Sequence, residues 1–178
     1  MKIMGLDLSL LHTGVIVLDG KEIAYHSTIS PKSKNSERLV NIEDDLNSYI
    51  NCGIGLVVIE GYAFSPDFGR MFSLGEIGGV VKRNLFLKNI RLISVAPNTL
   101  KKYVLGTGSA PKNKMILGVY KKWNIELDTD HEVDAYALAR LGQEFMAVEA
   151  GNKPSALFNL TYKAVVKYNM KLHGDSGE

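Results

Sequence analysis

Residues 54–59, Ile-Gly-Leu-Val-Val-Ile, form a short, almost continuous apolar run that stops at Glu60. Side chains alternate between the two faces of a sheet, so a strand that is apolar on successive residues is covered on both faces. Such a strand needs helices above and below it. That requirement points to a layered α/β fold.

The rest of the chain supplies those layers. Residues 2–9 read as a strand, with Ile3, Gly5 and Asp7 on one face and Met4, Leu6 and Leu8 on the other. Residues 13–19 read as a second strand. Asp19-Gly20 is a hairpin signal, and a third strand follows over about residues 22–30. Two tight connections in succession imply three antiparallel strands. Leu39, Ile42, Leu46 and Ile50 then recur at helical spacing. After the buried strand come irregular residues 62–70 and a helix over 71–88, with Leu74, Ile77, Val81 and Leu85 on its apolar stripe. Residues 90–95 read as another buried strand. Helices are expected from Pro97, from near Pro111, over His131 to about Ala147, and over about 155–170. Asp130 is read as an N-cap in preference to a ligand. The expected architecture is a mixed five-stranded sheet, three antiparallel strands followed by parallel ones, flanked by helices on both faces.

Composition narrows the class. A chain of 178 residues, 46% hydrophobic and 22% charged, suits one globular domain. The expectation is a domain over 1–150, then a helical extension over 151–178 whose last residues, from Gly174, fray. The longest apolar runs fall short of the ~18 residues of a membrane span. Asp7 inside the first apolar stretch is unlike a signal peptide. The single cysteine, Cys52, allows no internal disulfide and no cysteine zinc site, so a reducing cytoplasm is the expected compartment.

The net charge of +2 conceals an asymmetry. Between Ile77 and Ile125 there is no acidic residue, yet there are ten basic ones. A solvated face is the plain reading. The functional one is a surface for a polyanion, with Lys101, Lys102, Ser109, Lys112 and Lys114 among residue types that contact phosphates.

Polar residues also stand where apolar ones are expected. Asp7 lies inside the first strand, Glu60 closes the buried run, and His131 and Asp134 open an Ala-rich helix at i and i+3. Taken singly, each has an ordinary account as a hydrogen-bonded buried acid, a wet strand end or a surface histidine. Taken together they converge if strands 1 and 4 are neighbours and the late helix crosses the sheet. Close carboxylates do not all ionise cheaply without a cation. Oxygen ligands with an imidazole suit Mg²⁺ or Mn²⁺, and two such ions ~3.5–4 Å apart can assist an in-line phosphoryl displacement.

Five blocks carry a resemblance to the RuvC family of Holliday junction resolvases, within the ribonuclease H-like superfamily. Gly5-Leu6-Asp7-Leu8-Ser9-Leu10 with Thr13-Gly14 resembles that family's opening Gly-Ile-Asp-Pro-Ser and Thr-Gly. Val58-Ile59-Glu60, the glycine-rich stretch Leu74-Gly75 to Gly79-Val80, Val104 to Lys112, and Asp134 to Ala139 follow in family order. The departures from bacterial patterns suit a phage-encoded member. The resemblance implies a Mg²⁺-dependent homodimeric endonuclease for four-way DNA junctions, with two ions per site and Mn²⁺ substituting. It places Asp7, Glu60 and Asp134 on metal-binding carboxylates and His131 where many members have Asp. It places Lys101 and Lys112 on DNA-contact positions, and Tyr62 or Phe64 where an aromatic stacks on a base. The glycine-rich helix falls on the dimer contact. Rival readings are a general branched-DNA nuclease, a non-catalytic junction-binding module, and an actin-like nucleotide-binding domain, which would need a second such domain.

Overall fold

A computed structural model describes residues 1–61, 68–111 and 114–173. Strands β1 (Lys2–Asp7), β2 (Thr13–Asp19) and β3 (Glu22–Ile29) come first. Then follow α1 (Asn35–Ile50), β4 (Ile54–Glu60), α2 (Phe68–Leu87), β5 (Arg91–Val95), α3 (Pro97–Leu105), α4 (Lys114–Trp123), α5 (Asp130–Glu149) and α6 (Ala156–His173). The sheet order is β3-β2-β1-β4-β5. β1 pairs antiparallel with β2 and parallel with β4, and β5 is parallel to β4. This is the mixed five-stranded sheet expected from the sequence.

Alternation along β1 sorts the core into two layers. Met4, Leu6 and Leu8 pack with Ile42, Leu46 and Ile50 of α1 and Ile77, Val81 and Leu85 of α2. Ile3 faces the other layer, with Val58 and Ile93 of the sheet and Tyr136 and Leu138 of α5. Asp7 has the same parity as Ile3, so the period of two aims it at the α5 layer.

Helix α5 lies against β1 and β2 almost backbone on backbone. A Cβ on Gly5 would collide with the Ala135 carbonyl, and one on Gly14 would collide with the carbonyl of His131. Ala135, Ala137 and Ala139 are fully buried, their small side chains permitting this approach. The glycines therefore set the depth at which the start of α5 rests on the sheet.

Helix α6 returns to the same layer through Phe158 and Val165. Its Asn169 amide accepts from the Ser94 N–H at 2.8 Å and donates to the Ser94 carbonyl at 2.9 Å. One side chain thereby satisfies both backbone groups of a residue on the edge strand β5.

Candidate functional site

The site lies at the carboxyl ends of β1 and β4. Leu6 pairs with Ile59 in parallel register, so Asp7 and Glu60 are the next residues along two adjacent strands. The ladder continues on the far side, where Glu60 pairs with Val95 and the Gly61 N–H donates to the Val95 carbonyl at 2.8 Å. Glu60 is thus held by β5, one residue beyond the last pair of the β1–β4 ladder. Beyond it, Gly61 lies against the Tyr168 ring of α6, where a Cβ would strike the phenol.

The turn after Asp7 explains the Ser and Thr-Gly of the first motif. The Thr13 hydroxyl donates to the Ser9 carbonyl at 2.6 Å and accepts from the Ser9 N–H at 3.1 Å. This closes the β1–β2 turn and buries Thr13. Gly14 then leaves room for the first turn of α5.

That turn delivers His131. Its Nδ1 lies 2.7 Å from Oδ2 of Asp7, and its Nε2 lies 3.9 Å from Oδ1 of Asp130. Asp7 is only 8% exposed. A carboxylate only accepts, so Nδ1 is the donor in this contact, and Nε2 is the nitrogen that faces away from Asp7. His12, from the β1–β2 turn, stands beside the His131 ring at a centroid distance of 5.8 Å. Asp134 is one helical turn beyond His131 and partly buried. Asp130 is not the N-cap. Thr129 takes that role, accepting from the Glu132 N–H at 3.1 Å, because its extended backbone turns the hydroxyl back over the helix start.

Sequence reasoning missed what fixes this turn from the side. Glu132 is a buried carboxylate, 4% exposed. It accepts from the Thr28 hydroxyl at 3.0 Å and contacts His26 Nδ1 at 3.1 Å, both on β3, while Thr28 also bonds Thr129 at 2.8 Å. A signal was present: Glu132 lies on the helical stripe of Ala135 and Ala139, which packs on the sheet.

The basic segment lies partly at this edge. α3 begins two residues after Val95, and Gly108 packs against the Asn98 carbonyl. The turn carrying exposed Ser109 therefore folds back to the carboxyl ends of β4 and β5, and exposed Lys114 opens α4. Lys101 and Lys102 lie on α3, Lys102 exposed and Lys101 half-buried. Lys112, Tyr62 and Phe64 lie outside the described residues. Several of the ten basic residues are engaged elsewhere, among them Lys88, which donates to Oδ1 of Asn51 at 3.4 Å. Arg91 forms a two-pronged ion pair with Glu149 at 2.6 and 2.7 Å, holding that carboxyl below the usual carboxylate range. Lys122 turns inward, donating to the Tyr103 carbonyl at 2.8 Å with its ammonium 3.7 Å from the Tyr103 ring centroid. Burial lowers its pKa to about 8.

Among known proteins, the chain is similar to a crossover junction endodeoxyribonuclease RuvC from Carboxydothermus hydrogenoformans. The two are 31% identical over 150 residues, which is 80% of this chain and 95% of the relative. A RuvC from Ehrlichia canis is 30% identical over 78% of this chain and 94% of its own length. Among solved structures, T. thermophilus RuvC in complex with a Holliday junction substrate aligns with a TM-score of 0.68 at 21% identity, covering 78% of this chain and 90% of that one. No family model matches the chain.

Proposed function

The chain belongs to the RuvC family of crossover junction endodeoxyribonucleases, and from that premise we propose that it resolves four-way DNA junctions by paired hydrolysis of phosphodiesters. The observation that carries this reading is the Asp7–His131 contact at 2.7 Å, at a strand end where Glu60 is the neighbour in register. No described helix is long and apolar enough to cross a membrane, and the proposed setting is the cytoplasm.

Asp7, Glu60, His131 and Asp134 are the proposed metal-binding and catalytic residues. The donor set fits a divalent ion: three carboxylates and an imidazole, drawn from two rigid strands and one helix turn. Mg²⁺ is the proposed ion, two per site, with Mn²⁺ substituting. When bound, such ions supply electrostatic stabilisation for the charge that develops on the attacking and leaving oxygens. The chain's own groups do the rest. Asp7 fixes the tautomer and orientation of His131. Nε2 then carries the ring's one available lone pair, so His131 either holds the ion or takes a proton from the attacking water and gives one to the departing 3′-oxygen, and the two roles are alternatives. The products are a 5′-phosphate and a 3′-hydroxyl. Lys101, Lys102, Ser109, Lys112 and Lys114 are the proposed phosphate contacts, with Tyr62 or Phe64 stacking on a base.

A junction with two-fold symmetry calls for two sites, and α2 is the proposed dimer contact. Phe72, Gly75, Gly79 and Phe86 fall on one helical stripe, at spacings of three, four and seven. Phe72 and Phe86 are 72% and 80% exposed, and a Cβ on Gly75 or Gly79 would meet open space. An exposed aromatic stripe broken by two bare glycines suits close approach of a second copy.

The deciding experiment is gel-resolved cleavage of a labelled four-way junction beside duplex, flap and single-stranded DNA. It compares wild type with Asp7→Asn in Mg²⁺, Mn²⁺ or EDTA. Symmetric paired nicks that need metal and vanish in Asp7→Asn support the proposal. Equal cutting of every branched form replaces it with a general branched-DNA nuclease, and tight binding without cutting replaces it with a junction-binding protein.

A further inference from the structure

Beside the first turn of α5 lies a second group of metal-ligating atoms, none of them from the proposed nuclease site. His26 on β3, Asp128 in the approach to α5 and Glu132 within it each offer a ligand atom, all within 4.8 Å of one another. We propose that these three residues form a separate binding site for a borderline transition-metal dication, with Zn²⁺ the best fit.

Geometry is the first support. In a tetrahedral Zn²⁺ site with bonds of ~2.0–2.2 Å, neighbouring ligand atoms stand about 3.4 Å apart. His26 Nδ1 and Glu132 Oε2 are already 3.1 Å apart, so an ion enters by small side-chain shifts. The three ligands come from one strand, one loop and one helix. Thr28 and Thr129 hold Glu132 and the helix start from the other side.

Charge is the second. The Glu132 side chain is 5% exposed, and its ion-pair partner among the described residues is His26, a cation only when protonated. Thr28 and His26 already bond both of its oxygens, yet neither supplies a positive charge when His26 is neutral. A dication supplies that charge irrespective of the state of His26. His26 and Asp128 are exposed, which leaves the mouth open to solvent for entry and for a water as fourth ligand.

Ligand chemistry decides which ion. Three protein ligands, one an imidazole, with one water complete the four-coordinate shell that suits Zn²⁺, whereas the nuclease site adds a third carboxylate and suits the oxygen-rich, six-coordinate shell of Mg²⁺. The consequence is a clamp: Zn²⁺ would tie β3 to the same helix turn that presents His131.

The test uses the full chain carrying Asp7→Asn and Asp134→Asn, which removes two carboxylates from the proposed nuclease site. Zn²⁺ is titrated against a chromophoric chelator, metal per chain is measured after gel filtration, and thermal unfolding is recorded with and without Zn²⁺. One Zn²⁺ per chain and a raised unfolding midpoint are expected, unaffected by millimolar Mg²⁺. His26→Gln and Asp128→Asn should each weaken binding by more than the ~10–100-fold typical of losing an outer partner of a metal ligand. His12→Gln, beside His131, should leave binding unchanged. No stoichiometric Zn²⁺, or binding indifferent to both His26→Gln and Asp128→Asn, overturns the site. Mg²⁺-dependent junction cleavage by wild type is a separate readout, so failure here leaves the nuclease proposal standing, and the reverse.

Discussion

Nδ1 of His131 meets Oδ2 of Asp7 at 2.7 Å, joining the end of the first strand to the start of the fifth helix. A carboxylate that orients an imidazole affects chemistry more than affinity. His131→Ala is therefore expected to lower the single-turnover cleavage rate by ~10²–10⁴-fold. Junction affinity, measured by gel shift in Ca²⁺, should stay within about threefold of wild type by the same separation of binding from chemistry. An equal loss of affinity and rate would remove His131 from the chemistry.

Gly14 abuts the His131 carbonyl, so Gly14→Ala must push back the first turn of α5. Overpacking of this kind costs ~1–3 kcal/mol. Displacing a reacting group by about 1 Å costs roughly 10²-fold in rate. Urea unfolding should report the first loss and junction cleavage the second. A variant with wild-type stability and activity would show that the helix does not rest on Gly14.

The residues of this edge differ in how visible they are in the sequence. Asp7, Glu60 and Asp134 stand out because each interrupts an apolar pattern, and the parity of β1 already aims Asp7 at one layer. Glu132 stands out less. Its place on the Ala135 and Ala139 stripe points to burial, but its partners depend on the β2–β3 register, which brings His26 and Thr28 under the start of α5, and local periodicity carries no such pairing. Lys122 misleads in the opposite way. Counted as charge it belongs to a basic surface, but its long apolar stem lets it lie across Tyr103 and Trp123. Helix α6 is legible as a helix, while its bond to Ser94 is a long-range fact that only the assembled sheet reveals.

Asn169→Ala removes both bonds to Ser94, whose residue is 3% exposed. Leaving buried backbone groups unmet costs ~1–3 kcal/mol. At ~2–4 °C per kcal/mol for a chain of this size, the unfolding midpoint should fall by several degrees. Differential scanning calorimetry checks this, and an unchanged midpoint would mean that water replaces the amide without loss.

Lys122 gives a pH signature. Its folded pKa of about 8 lies below the ordinary 10.5, so between these values the unfolded chain binds more protons and stability rises with pH. Tyr103 acts oppositely. Burial raises its pKa far above 10.0, so above that pH the unfolded chain ionises first and stability is lost. Urea midpoints from pH 7.5 to 10.5 should therefore climb and then fall in wild type. Lys122→Met should lack the climb.

On α2, Gly79→Arg places a long cation where the second copy is proposed to approach. Sedimentation should show a monomer with wild-type circular dichroism. A folded Gly79→Arg protein that remains dimeric would move the interface off this stripe.

The contact between Asp7 and His131 spans 124 positions in sequence. During synthesis at ~5–20 residues per second, roughly 6–25 s separate the emergence of the two partners. A nascent chain thus carries Asp7 long before the helix that completes the proposed site. On the proposed mechanism, nascent or truncated products that stop before α5 lack nuclease activity, because the proposed site is incomplete until His131 has emerged.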